Sequence, residues 1–386
     1  MNRFYLSLVV LYILLLVVFN NTTLFVSFAL LSGLLFLFAR IKRVDEVLWY
    51  TLLASLPFDL GKSFSIPVVT PTPGLQEIGY RVWITISPSL VLAFLLLLYL
   101  WIHKRRTVEF RPQDKFWLLL LIFSIASSLQ GVFKSVAFYG WLELFKGVAI
   151  YFAARGLLKD SSILKRSLTI IYSWLFFEGF LSFWQFIIKG SLGRYIEEGV
   201  ANIAFGRIVG ESQLLFRSFG TFVSPNRMAA FLTLSLIVAS FAFFKPSFIG
   251  KSSRFVFLSF VFGVIGLILS LSRTSWFAFT LFLSLAAAGL LRKKYKLDVE
   301  FKKAAVIVLA GLFLLAPFLS TRIGSIFTAF SFYGTGSVRL KLIQEGLHLV
   351  SLKPILGVGL NHFTWAITKW PATDIRFIFL QRAHNV

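Results

Sequence analysis

Arginine and histidine side chains are the groups of this sequence best suited to chemistry, and many of them gather near its end. The stretch Ser331–Val386 holds three of the four histidines, His348, His362 and His384, together with Arg339, Lys341, Arg376 and Arg382. A guanidinium is permanently charged and offers paired donors that fit an anionic oxygen group. An imidazole, with an ordinary pKa of about 6.5, is placed to take a proton from a hydroxyl near neutral pH. Gly334, Gly336 and Ser337 read as a loop, with Ser337 capping a helix that begins near Val338. Arg339, Ile343, Gly346 and Val350 recur at helical spacing, and Lys341, Glu345 and His348 lie on another face. Pro354 stops the helix, and Gly357 and Gly359 permit a sharp turn after it. A helix N-terminus beside an arginine makes an anion site. The same pattern also fits a helix lying on a membrane, its basic residues at head-group level. Spacing alone does not choose between the two.

These groups sit in a chain of 386 residues that is 58% hydrophobic and only 14% charged. A soluble core cannot absorb that much apolar surface, so the expected class is all-α, a polytopic transmembrane helical bundle. The chain has no cysteine, which excludes a disulfide framework and a thiolate metal site. Its net charge of +23 is dispersed between apolar runs, which argues against a nucleic-acid surface. The first apolar run lacks a small-residue cleavage site and leads straight into a second, so it reads as a span and not as a cleaved signal.

At about 20 apolar residues per crossing, about eleven spans are expected: 4–19, 24–39, 46–58, 84–102, 116–132, 136–154, 167–188, 228–244, 255–271, 274–291 and 304–320. Lysine and arginine crowd the connections 40–43, 104–115, 155–166, 245–254 and 292–303. The short connections on the other side hold only Lys134 and Arg273. The positive-inside rule then puts the N-terminus in the cytoplasm. Segments 59–83, 189–227 and 321–386 face outward, and the last two are rich in arginine. A cationic bowl there would attract an anionic lipid-linked substrate. Contact with anionic lipid head groups is the alternative for any one arginine.

Three outer stretches carry a resemblance. The first is Arg217-Ser-Phe-Gly-Thr-Phe-Val-Ser-Pro-Asn226, opening a helix. The second is Leu271-Ser-Arg273-Thr-Ser, in a tight turn between spans. The third is G-x-x-x-x-R ending at Arg339, then Lys353-Pro-Ile-Leu-Gly-Val-Gly359, then His384-Asn385. In this order they resemble the O-antigen ligase/polymerase superfamily over roughly residues 200–386. The resemblance implies an integral-membrane glycosyltransferase of the GT-C kind in the bacterial inner membrane. Its donor would be an undecaprenyl-diphosphate-linked glycan on the periplasmic side. Its acceptor would be lipid A–core, a growing glycan or a protein, and no metal or other cofactor is implied. By the same resemblance Arg217 and Arg273 bind the diphosphate, Arg339 adds a third cation, and His384 is the base for the acceptor hydroxyl.

Elementary chemistry fits those roles. A departing diphosphate gains negative charge, which guanidinium groups neutralise. No DxD and no outer carboxylate cluster signals a metal. Each residue also has a structural reading. Arg217 would snorkel at a helix start, Arg273 would brace its turn, and Arg339 would fix the loop helix. Pro225 and Asn226 read as a helix start, with Asn226 as cap. His362 competes for the base role but reads better as a packing residue. Glu143 and Lys146, one turn apart in a span, are expected to neutralise each other, and Glu178 reads as structural or substrate-lining.

The expected organisation is 1–188 as N-terminal spans, 189–320 as the ligase-like membrane region with its outer loop, and 321–386 as the periplasmic catalytic loop. The family pattern continues past the His-Asn pair into closing helices, so a truncated chain is expected. Two rivals from other classes stand beside the enzyme. A lipid-linked oligosaccharide flippase would need a polar cavity through both leaflets, and a membrane scaffold would tolerate loss of Arg273 and His384.

Overall fold

The computed structural model describes residues 43–57, 62–69, 80–103, 111–190, 216–222, 224–244, 253–293 and 335–372. Helices make up most of these: α1 (Val44–Ser55), α2 (Pro88–His103), α3 (Asp114–Gln130), α4 (Lys134–Leu157), α5 (Ser161–Ile188), α6 (Pro225–Phe244), α7 (Ser253–Leu269), α8 (Arg273–Lys293), α9 (Thr335–Leu352) and α10 (Phe363–Lys369). Helices α1 to α8 fall on the expected runs from 46–58 to 274–291. The expected runs 4–19, 24–39 and 304–320 lie outside the described residues. By length and composition, α4 and α5 are long and apolar enough to cross a membrane. On α3, Phe116, Ile122, Phe123 and Leu129 are exposed. A water-facing helix would carry polar side chains there, whereas a lipid-facing one carries these.

The helical class gains one element that the sequence reading lacked. Strands β1 (Lys62–Val69) and β2 (Tyr80–Ile86) form an antiparallel pair that begins in the expected outer segment 59–83 and runs into the first residues of the expected span 84–102, whose helix starts only at Pro88. β-Branched residues favour the strand, as at Val82, Thr85 and Ile86. The register slips between Pro67 and Val69, next to a proline that has no N–H to donate.

The chain divides into two compact units, each drawn from separate parts of the sequence: Met1–Leu60 with Leu157–Pro317, and Gly61–Gly156 with Phe318–Val386. In the first, α5 packs on α7 at close range. A Cβ on Gly179 would run into the carbonyl oxygen of Phe262, and one on Gly266 would come within 3.0 Å of the Gly179 Cα. Small residues at a crossing let two backbones approach, the usual device of membrane helices. Tyr172 Oη donates to the Ala239 carbonyl (3.0 Å) and Trp49 Nε1 to Ser167 Oγ (2.8 Å), which ties α6 and α1 to α5. Asp160 caps α5 by accepting the Ser162 N–H at 2.8 Å.

In the second unit, Leu121 of α3 packs with Val148 and Phe152 of α4. Asp114, at the start of α3, is buried and accepts from the Arg111 N–H (2.6 Å), the Tyr151 hydroxyl (3.1 Å) and the Arg155 guanidinium. Leu349 of α9 packs with Ala366 and Ile367 of α10. Lys146 Nζ donates to Glu143 Oε2 at 2.6 Å, the mutual neutralisation expected of that pair.

Candidate functional site

The Arg217 loop is built on a polar stripe in an otherwise apolar helix. Glu178, Ser182 and Gln185 recur at steps of four and three along α5, so they share one face. All three are fully buried. A buried polar side chain must find partners or cost free energy: Ser182 Oγ donates to the Glu178 carbonyl at 2.7 Å, and Glu178 and Gln185 find theirs in residues 219–221. Gln185 Oε1 accepts the N–H groups of Phe219 (3.1 Å) and Gly220 (2.9 Å), while its Nε2 donates to the Gly220 carbonyl (3.0 Å). Glu178 accepts the Thr221 N–H (3.0 Å) and the Thr221 hydroxyl (2.6 Å). Ser218 Oγ donates to the Ser182 carbonyl at 2.7 Å. Gly220 has φ of +58°, and a Cβ there would strike Glu178 Oε2. Only glycine satisfies both conditions at once.

This anchoring leaves the loop's backbone donors committed. The Ser218 N–H donates to Leu269 O (3.1 Å) and the Phe222 N–H to Phe219 O (3.0 Å), in addition to those held by Gln185 and Glu178. From Ser218 to Phe222 each amide is used within the protein. The loop is therefore not an amide nest of the kind that cradles phosphate. Any anion bound here is bound by side chains.

Arg217 is half-buried at the head of this loop. Its Nε donates to the Ser270 carbonyl at 2.9 Å and its Nη2 to Asn226 Oδ1 at 2.8 Å. Asn226 thus orients Arg217, and the cap of α6 is Ser224, whose Oγ accepts the Asn226 N–H at 3.2 Å. That corrects the expected capping role of Asn226. Pro225 does open the helix, where a missing N–H costs nothing.

Ser270 lies in the α7–α8 turn. Leu271 there has φ of +52°, a left-handed conformation that costs a non-glycine residue about 1–2 kcal/mol. The turn is held by Trp276 Nε1 donating to Leu267 O (2.8 Å) and Ser272 Oγ donating to Ser275 Oγ (3.2 Å). Arg273 is the first residue of α8 and half-buried. The structure therefore brings together the Arg217 stretch and the Arg273 turn, which are far apart in sequence.

In the other unit, Arg339 falls near the start of α9, which begins at Thr335, earlier than the expected Val338. The Arg339 side chain lies outside the described residues, and so do His384 and Asn385. The helix ends at Leu352 before Pro354, and Gly357 (φ +64°) and Gly359 (φ +101°) make the expected turn. Glu345 is buried and accepts the Ala372 N–H at 2.8 Å, so it faces inward. Leu340, Ile343, Leu347 and Val350 are exposed and form an apolar stripe.

After the turn, the segment docks on the α3–α4 connection. His362 is fully buried. Its Nδ1 lies 2.7 Å from Leu360 O, and its Nε2 accepts the Phe133 N–H at 2.8 Å. A carbonyl on one nitrogen and an N–H on the other fix the neutral tautomer with its proton on Nδ1. Burial, with the nearby Lys134 charge, holds its pKa below the ordinary histidine value, against the opposing pull of the Leu360 carbonyl. The close approach needs small residues, since a Cβ on Gly131 would lie 2.7 Å from His362 Cε1 and one on Gly359 2.7 Å from Gly131 Cα. His362 has no lone pair left to act as a base, and it is a packing residue as the sequence reading favoured.

Residues 258–386 match the family model described as O-antigen ligase. This C-terminal third of the chain is similar to the O-antigen ligase family. The matched region includes the Arg273 turn, α8, α9, α10 and the His384-Asn385 pair. Proteins of this family are membrane proteins that act as glycan ligases or polymerases. Arg217 lies outside the match, and its link to it is the hydrogen bond to Ser270. No curated protein and no solved structure matches the chain.

Sequence reasoning missed Gln185 and Ser182. The signal was present as polar residues at helical spacing with Glu178 in an apolar run. Glu178 itself is structural, as one of its two expected readings had it.

Proposed function

We propose that the chain is an inner-membrane glycosyltransferase that transfers or polymerises an undecaprenyl-diphosphate-linked glycan on the periplasmic face. The observation that carries this reading is the fastening of the Arg217 loop to the turn bearing Arg273, which lies in the ligase-like region. Arginines carried by a loop and a turn that are hydrogen-bonded to each other, with the loop's backbone amides already spent, suit a diphosphate.

In the proposed reaction the acceptor hydroxyl oxygen attacks the anomeric carbon, and the bond from that carbon to the diphosphate oxygen breaks with inversion. His384 takes the hydroxyl proton. Arg217 and Arg273, with Arg339 as a third cation, stabilise the charge on the departing diphosphate. No metal is assigned a part in this route.

Contacts between connections support the proposed sidedness. The Arg217 loop meets the α7–α8 turn in one unit, and Leu360–His362 meets the α3–α4 turn in the other. The reading puts all four outside. Arg43 meets Asp160 (3.6 Å), and Arg155 meets Asp114. The reading puts those four inside, so each contact joins connections assigned to the same side.

The test is genetic. Expression of the full-length gene in ligase-null and polymerase-null hosts should repair one defect, read from the surface-glycan ladder. Repair of neither would count against the reading.

A further inference from the structure

We infer that Gln185 is a positioning residue for donor binding, acting through the loop that carries Arg217. The inference rests on the proposed role of Arg217. Its observation is geometric: one carboxamide holds two consecutive N–H groups and one carbonyl of the loop, all in the three residues after Arg217. Gln185 is itself fully buried and lies in the last turn of a helix twenty-eight residues long, so its own position is fixed by α5. A loop with no secondary structure of its own cannot aim a guanidinium unless its backbone is held. Glu178 adds a second anchor at Thr221, and Arg217 then has only its side-chain torsions left to settle. Those are fixed by Ser270 and Asn226.

Gln185 does not face a ligand in this arrangement, because its Oε1 and Nε2 are both engaged with the loop. Its effect on the reaction passes through Arg217. Loss of the carboxamide should therefore be felt by the donor, which Arg217 binds, and not by the acceptor.

The experiment measures transfer with purified lipid-linked donor and a soluble acceptor, using the full-length protein in detergent. Gln185→Leu keeps the bulk and removes all three hydrogen bonds. It should raise the donor KM about 10- to 100-fold and leave the acceptor KM unchanged. Combined with Arg217→Ala, it should add nothing to the loss caused by Arg217→Ala alone, since both act on one interaction. Thr221→Ala removes a single anchor at the half-buried end of the loop. It should give a smaller rise in donor KM, and it keeps the test open should Gln185→Leu fail to insert.

An unchanged donor KM in both variants, with transfer lowered in Arg217→Ala, would overturn the positioning role alone. Equal rises in donor and acceptor KM would also overturn it, because they report general damage. Normal transfer by Arg217→Ala would instead overturn the assignment of Arg217 on which the inference rests.

Discussion

Arg217 donates its Nε hydrogen to the Ser270 carbonyl at 2.9 Å, three residues before Arg273. Loop and turn are thus a single structure, although more than fifty positions of sequence separate them. The bond also uses a carbonyl at the C-terminal end of α7, where the helix leaves acceptors unpaired. A cation there is favoured by the helix dipole.

Arg273→Ala should therefore abolish glycan transfer while membrane insertion stays intact. The expected loss is about 10²–10³-fold, the usual effect of removing one donor that stabilises developing charge. Transfer rates with purified donor, alongside the yield of inserted protein, check this. Wild-type transfer by the variant would remove Arg273 from the site.

Gly220→Ala tests the loop's seat. The left-handed backbone alone should cost about 1–2 kcal/mol with a Cβ present, and the collision with Glu178 Oε2 adds to it. Thermal unfolding in detergent should show a lowered midpoint. A midpoint equal to the parent's would mean that the loop does not sit on Glu178.

Much of this was legible in the sequence because membrane helices announce themselves by length. The runs that became α4 and α5 needed only the bilayer ruler. Arg217 and Arg273 could be paired only through a family resemblance, since nothing in local periodicity links 217 to 270. The polar stripe on α5 was readable at Glu178, Ser182 and Gln185 but meant nothing without its partner loop. The strand pair was hidden for a different reason. Pro67 interrupts β1, and ten residues of sequence separate Lys62–Val69 from Tyr80–Ile86, so the two-residue signature of a hairpin is missing. His362 could be separated from a catalytic role only by seeing both ring nitrogens engaged. His384 lies outside the described residues, and its assignment still rests on the motif.

His384→Ala should stop transfer and spare donor binding, because a base acts on the acceptor. A positioned base contributes about 10²–10⁴-fold, and the loss should fall in that range at neutral pH. Donor affinity can be read separately with labelled lipid-linked glycan. An unchanged transfer rate would refute the base assignment.

His362 makes the docking of the segment after α9 sensitive to pH. In the docked state Nε2 must present a lone pair to the Phe133 N–H, so docking favours the neutral ring. Burial holds the pKa below the ordinary value of about 6.5. The undocked ring, free in water, takes up a proton first as the pH falls. Docking is therefore complete above about 6.5 and weakens as the pH falls from there toward the lowered value. Lys134, the charged neighbour on α4, pushes in the same direction. Hydrogen exchange at the Phe133 amide should speed up across that interval. His362→Gln keeps an acceptor that does not titrate and should flatten the response, whereas His362→Ala should leave the amide unprotected at every pH. A Phe133 amide equally protected at pH 5 and pH 8 in the parent protein would show that the imidazole does not hold the segment.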